Sequence, residues 1–129
     1  MNLFKWSKDL ETGVPHIDSA HKQVFKIADT VYAQIKSQKK KIEVKRVLNF
    51  FQDYTVHHFA DEERLMEKCG YLKFAEHKAL HKACIKDLKS LKKKHEAGSL
   101  QPIHILSFLT TWVVKHICIE DQKFKHFIK

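Results

Sequence analysis

Five histidines and one glutamate occupy positions in this sequence that apolar residues would ordinarily fill: His21, His58, Glu62, His77, His81 and His116. In the string HFADE, His58 and Glu62 continue a row that comes from Phe51 and Thr55 and leads on to Leu65 and Cys69. A four-residue step on a helix turns through about 400°, so two such side chains stack one turn apart on one face and can serve a single ion. His77 and His81 repeat the step in HKALH, along the row of Leu80, Cys84 and Leu88. His21 precedes Val24, Ala28 and Val31, and His116 follows Leu109, Trp112 and Val113. A lone inward histidine is more often a hydrogen-bonded core residue than a ligand. Several imidazoles and a carboxylate buried at one level each need a partner, and a metal ion satisfies all of them at once.

The elements that must position these groups follow from periodicity. After an irregular arm containing Gly13 and Pro15, Asp18 and Ser19 offer an N-cap for a segment carrying Val24, Phe25, Ala28, Val31, Tyr32 and Ile35. A second segment begins near Ile42, repeats Val44, Val47, Leu48, Phe51 and Tyr54, continues to Leu65, Met66 and Cys69, and stops at Gly70. A third runs from about Phe74 to Gly98, and a fourth starts at Pro102 and carries Ile105, Leu106, Leu109, Trp112, Val113 and Ile117. The expected fold is all-α, an up-down-up-down four-helix bundle over about 18–129 behind an N-terminal arm over about 1–17, forming one domain across 1–129. Alternating direction then brings His21, His58, Glu62, His77, His81 and His116 to one end. At roughly 1.5 Å rise per residue their scatter along the axis is on the order of 10 Å, compatible with a single cluster.

Composition narrows the class. The 129 residues are 43% hydrophobic and 30% charged with only three Gly and two Pro, which argues against disordered and loop-rich classes. Cys69, Cys84 and Cys118 form no CxxC pair and leave an odd thiol, favouring small core residues in a reducing compartment over a disulfide framework. The start, MNLFKWSKDL, lacks the apolar stretch of a signal peptide, and no apolar run approaches the roughly 20 residues that span a bilayer. A cytoplasmic protein with no membrane partner is expected. The net charge of +9 raises nucleic acid as a partner. Lys36, Lys39, Lys40 and Lys41, with Lys89, Lys92, Lys93 and Lys94, fall at the bundle end away from the histidines. A solvated pole that complements helix C-termini explains them better, because no nucleic-acid-binding motif accompanies them.

The full pattern resembles the hemerythrin family, specifically a single-domain bacterial hemerythrin. The resemblance covers nearly the whole chain: Trp6, then GVPHIDSAHKQVF, HFADEERLM, HKALH and WVVKHICIED. It implies His21, His58, His77, His81 and His116 as terminal ligands and Glu62 and Asp121 as carboxylates bridging two irons. One spacing sits badly with an ideal helix: the five residues from His116 to Asp121 turn about 500°, leaving the two some 140° apart. Glu120, one turn after His116, is the rival by geometry, whereas the family pattern favours Asp121. A π-type turn or a helix break between His116 and Asp121 would reconcile them.

The resemblance further implies a non-haem diiron cofactor in which His77, His81 and His116 hold one iron and His21 and His58 the other, bridged by Glu62, Asp121 and an oxo or hydroxo group. The first iron is then full, and the second keeps one octahedral position for dioxygen. Two ferrous ions, two carboxylates and one hydroxide leave about one net positive charge, suited to passing two electrons to dioxygen and recovering them. Val24, Phe59, Trp112, Val113 and Ile117 would line an apolar oxygen pocket, and each also reads as ordinary core packing. The expected function is reversible oxygen binding for storage, delivery or buffering, without a catalytic residue. The alternative is a diiron enzyme that reduces nitric oxide or peroxide, or a component of oxygen or redox sensing; zinc or copper would also suit imidazole ligands. His57 is ambiguous, and His16, His95, His104 and His126 have no converging partners.

Overall fold

The computed structural model describes residues 5–37 and 44–128. The expected helix start near Ile42 and the lysines Lys39, Lys40 and Lys41 lie outside the described residues. A short 3-10 turn, Lys8–Leu10, precedes α1 (Pro15–Ser37), α2 (Val44–Cys69), α3 (Phe74–Glu96) and α4 (Pro102–Leu109). The chain then continues without interruption through a π-helical segment, Thr110–Glu120, into α5 (Asp121–Lys125). Helix α1 packs on α2 and on α4 with its π-helical continuation, and α3 packs on α2 and α4, the cyclic neighbour order of an up-down-up-down bundle.

Helix α1 begins earlier than the sequence pattern suggested, and the two residues taken for an irregular arm are its start signal. Pro15 has no N–H to satisfy and its fixed φ suits a first helical position. Gly13, at φ +88°, turns the chain into it. Asp18 is not the cap; it stands in the first turn and reaches back, its carboxylate accepting from the Thr12 backbone N–H and hydroxyl, both at 2.8 Å, and from the Gly13 N–H at 3.1 Å. The arm is pinned further along by Gln122, whose side chain donates to the Leu10 carbonyl at 3.2 Å, and by Trp6, which packs edge-on to Phe25. Gly70 and Gly98 end α2 and α3 as expected, at φ +71° and +74°. The Tyr71 and Ser99 N–H groups close back on the carbonyls of Met66 and Lys94.

The core is in two parts with a polar layer between them. The larger joins Val24, Phe25, Phe51, Phe59, Cys84, Leu109, Val113 and Ile117 with their neighbours, and the smaller joins Met66, Tyr71 and Phe124. Along α2 the buried row runs Leu48, Phe51, Thr55, His58, Phe59, Glu62 and Met66. It passes to Met66, with Leu65 and Cys69 only half-buried, because 3.6 residues per turn carry the stripe round the helix. The 24-residue run Pro102–Lys125 is long and apolar enough to cross a membrane by length and composition, contrary to expectation. Lys115, His116, Glu120 and Asp121 interrupt it when it is read linearly. Its inner side, from Ile105 and Leu109 to Ile117 and Phe124, is buried among the other helices.

Replacing Asp18 by Ala removes a buried acceptor of three hydrogen bonds and is expected to lower unfolding free energy by about 2 kcal/mol in urea titration. An unchanged midpoint would show that the arm does not hold the start of α1.

Candidate metal centre

Each helix contributes to the polar layer from the same end. His21 comes from the second turn of α1, His58 and Glu62 from the later half of α2, His77 and His81 from the start of α3, His116 from the π-helical segment and Asp121 from the first residue of α5. All seven are at most 5% exposed. The π-helical segment solves the spacing problem of the last two. There the Asp121 N–H bonds the His116 carbonyl five residues back, so the wider turn brings both side chains to one face, with His116 Nε2 3.2 Å from Asp121 Oδ1. The segment spans eleven residues rather than the single turn that the spacing demanded. Glu120 instead points outward and pairs with Lys123 at 3.3 Å.

The donor atoms form two groups joined by the carboxylates. His77 and His81 each place Nε2 3.0 Å from Glu62 Oε1, and His77 Nε2 lies 2.9 Å from Asp121 Oδ1, the oxygen that His116 also faces. On the other side, His58 and His21 place Nε2 3.2 and 3.5 Å from Glu62 Oε2, and His21 Nε2 lies 3.2 Å from Asp121 Oδ2. Each carboxylate therefore turns one oxygen to a three-imidazole group and the other to a two-imidazole group. The rings agree with this partition: His77, His81 and His116 have centroids 4.7–5.1 Å apart, and His21 and His58 stand 4.7 Å apart.

These contacts have the geometry of ligands more than of hydrogen bonds. Glu62 Oε2, both Asp121 oxygens and His116 Nε2 are buried without an aligned hydrogen-bond partner, although nitrogen and oxygen lie within 3.5 Å of each other. The Nε2 atoms of His21 and His58 face one another at 3.0 Å. Metal bonds of about 2.1 Å to nitrogen or oxygen put neighbouring donors of an octahedron about 3.0 Å apart, which is the spacing found. Within each group the ligand atoms lie within 4.8 Å of one another. The residues therefore fit two adjacent metal ions.

Electrostatics within the cluster is strong. Burial alone would push the His21 imidazole down, but the Asp121 and Glu62 carboxylates outweigh it and raise it to about 10; the same balance raises His77 to about 9. Burial would raise Glu62, yet His21, His58, His77 and His81 hold it well below the usual carboxylate range. Burial and the neighbouring Glu62 charge push Asp121 up, and His116 and His21 more than reverse them. Without metal, the protons held by His21 and His77 thus offset the two carboxylate charges. The stability from His21 and His77 is fully present below the ordinary imidazole value of 6.5 and is lost as pH rises through about 9 and about 10. That from Glu62 and Asp121 is lost only in strong acid.

The surroundings contain residues that sequence reasoning passed over. Glu63, half-buried, accepts from His81 Nδ1–H at 2.8 Å, which leaves the Nε2 lone pair facing inward. Its signal was its place one residue round from Glu62, toward α3. Of the five residues expected to line an oxygen pocket, all are buried in the larger apolar cluster. Phe59 stacks flat on His81 at 3.8 Å, and Trp112 lies 5.5 Å from His116, both on the three-imidazole side. The ring stacked on His58, on the two-imidazole side, is Tyr54 at 4.6 Å. His16, His57, His95 and His126 are exposed, and His104 Nδ1 accepts from the Gln101 N–H as part of the α4 cap. Cys69, Cys84 and Cys118 are free thiols.

The hemerythrin HHE cation binding domain family matches residues 12–128. Bacteriohemerythrin of Stenotrophomonas maltophilia is 31% identical over 129 residues, spanning 100% of this chain and 84% of the relative. Bacteriohemerythrin of Clostridium acetobutylicum is 30% identical over 95% of this chain and 98% of the relative. The hemerythrin subunit alpha of Lingula reevii is 28% identical over 95% and 92%.

Metal binding needs neutral imidazoles, so filling the centre must expel the protons held by His21 and His77. Anaerobic ferrous loading of the metal-free protein at neutral pH is expected to release about three protons per chain, two from the imidazoles and one from the water that would become a bridging hydroxide, with affinity rising as pH rises. Calorimetry in buffers of different ionisation enthalpy measures this, and loading without proton release would contradict the charge balance.

Proposed function

The chain belongs to the hemerythrin family, whose domain binds a diiron centre and whose members bind oxygen, and we propose that this protein binds dioxygen reversibly for storage, delivery or buffering. The observation that carries the reading is the sharing of Glu62 and Asp121 between three imidazoles on one side and two on the other. His77, His81 and His116 with one oxygen from each acid offer five protein donors to one iron; His21 and His58 with the other two oxygens offer four. The iron pair, when bound, supplies the two electrons that dioxygen accepts on binding and returns on release.

The chain's own residues create the difference between the two positions. His77, His81 and His116 with Glu62 and Asp121 would nearly fill the coordination of one iron, whereas His21 and His58 with the same acids would offer one donor fewer and leave room for a diatomic molecule. Five neutral imidazoles against only two carboxylates would leave the centre less negative than a carboxylate-rich one, favouring the reduced resting state over harsher oxidative chemistry. Val24, Phe59, Trp112, Val113 and Ile117 share the apolar cluster beside the centre, Phe59 and Trp112 on its three-imidazole side, and would form a dry wall that keeps out water and the protons that would make the electron transfer irreversible. Glu63 holds His81 in one tautomer, and Tyr54 packs the His58 ring against turning.

Anaerobic iron loading followed by cycles of oxygen and vacuum tests the proposal. Two irons per chain and a charge-transfer band that appears and vanishes with oxygen are expected. Steady consumption of nitric oxide or peroxide with a reductant, and no reversible band, would make it a catalyst instead. Trp112→Ala, which opens the dry wall, is expected to speed autoxidation about tenfold or more while Trp112→Phe stays near the parent rate; equal rates in all three would remove Trp112 from the pocket.

A further inference from the structure

The cluster residues are at most 5% exposed, so an ion arriving from solvent must pass a helix wall. One surface cavity has a cluster residue in its wall. It is a cleft of about 330 Å³ between the start of α1 and the middle of α2, where His58 lies with His16, Asp53, Tyr54, His57 and Asp61. Asp53, His57 and Asp61 follow one another at four-residue steps, so they stack as a stripe along α2 with roughly 6 Å between successive side chains. His58 and Glu62 are the next residues round the same helix. The stripe starts in solvent, since Asp53 and His57 are exposed and Asp61 is half-buried. It ends beside a ring whose Nε2 lies 3.0 Å from that of His21 and 3.2 Å from Glu62.

Charge gives the cleft its selectivity. A chain of net charge +9 repels a divalent cation over most of its surface. Two carboxylates interleaved with imidazole make a local exception, and oxygen with nitrogen donors suits ferrous ion. Asp61 also pairs with Arg64, but both groups are on the surface, where such a pair is weak and readily exchanged. Exposed single donors spaced along a path bind weakly enough to release what they capture. A neutral apolar gas gains nothing from this lining.

We infer that the α1–α2 cleft is the port through which ferrous ion enters, with Asp53, His57 and Asp61 capturing the ion and passing it to His58. The inference rests on the diiron reading above. The test mixes metal-free full-length protein with ferrous ion anaerobically and follows the quenching of tryptophan fluorescence, to which Trp112 beside His116 contributes a signal from the filled centre. The Asp53→Asn/Asp61→Asn pair and His57→Gln are compared with Asp87→Asn/Glu96→Gln, which removes the same charge from exposed α3 positions. The cleft variants are expected to fill about tenfold more slowly at low salt, with weaker salt dependence and the same final two irons per chain; the α3 variant fills at the parent rate. Equal rates in cleft and α3 variants, with a parent that fills normally, overturn the port alone. A parent chain that never takes up an iron pair overturns the diiron reading and the port with it.

Discussion

Two carboxylates that each face imidazoles on both sides are the constraint around which this bundle is organised. Glu62 and Asp121 lie at the centre of a buried layer, and five histidines from four directions close on them at 2.9–3.5 Å. Burying so many polar groups is unfavourable unless each finds a counterpart. In the metal-free chain protons on His21 and His77 supply it, and in the filled protein metal ions do. The layer is therefore held together by charge in either state, with apolar packing above and below it.

The fold serves this layer with few devices. Alternating helix direction brings the start of α1, the later half of α2, the start of α3 and the far part of the fourth helix to one level. Paired positions at four-residue steps on α2 and α3 give two donors per helix. The fourth helix must present His116 and Asp121 together and does so by widening into a π-helical run, a geometry with poorer backbone packing that is found where function demands it. Opposite ends of the bundle then differ in character, since Lys36, Lys89, Lys92, Lys93 and Lys94 lie toward the end away from the cluster.

Much of this was legible in the residues, and what was not has local causes. Apolar periodicity gave four helices and their stops at Gly70 and Gly98, because hydrophobic faces and positive-φ glycines leave strong linear signals. The start of α1 was misplaced because Gly13 and Pro15 look like breakers until Asp18 is seen reaching back to Thr12 and Gly13. Ideal-helix arithmetic placed six of the seven cluster residues but pointed to Glu120, not Asp121. Only the family resemblance chose Asp121, since a π-helical run is a property of the packed helix and not of local propensity. Glu63 escaped notice and Tyr54 was read only as part of the apolar face, because each matters to the cluster only through the neighbouring ring it touches. The membrane-length apolarity of Pro102–Lys125 was hidden by the polar residues that build the cluster.

The central claim is that one pair of carboxylates spans two metal positions. X-ray absorption at the iron edge of the loaded protein addresses it most directly, because back-scattering reports a second iron independently of oxygen chemistry. The account predicts mixed nitrogen and oxygen first coordination, with histidine imidazole scattering, and an iron–iron shell at about 3–4 Å, the separation a bridging carboxylate allows. A well-ordered spectrum with no iron neighbour would contradict it.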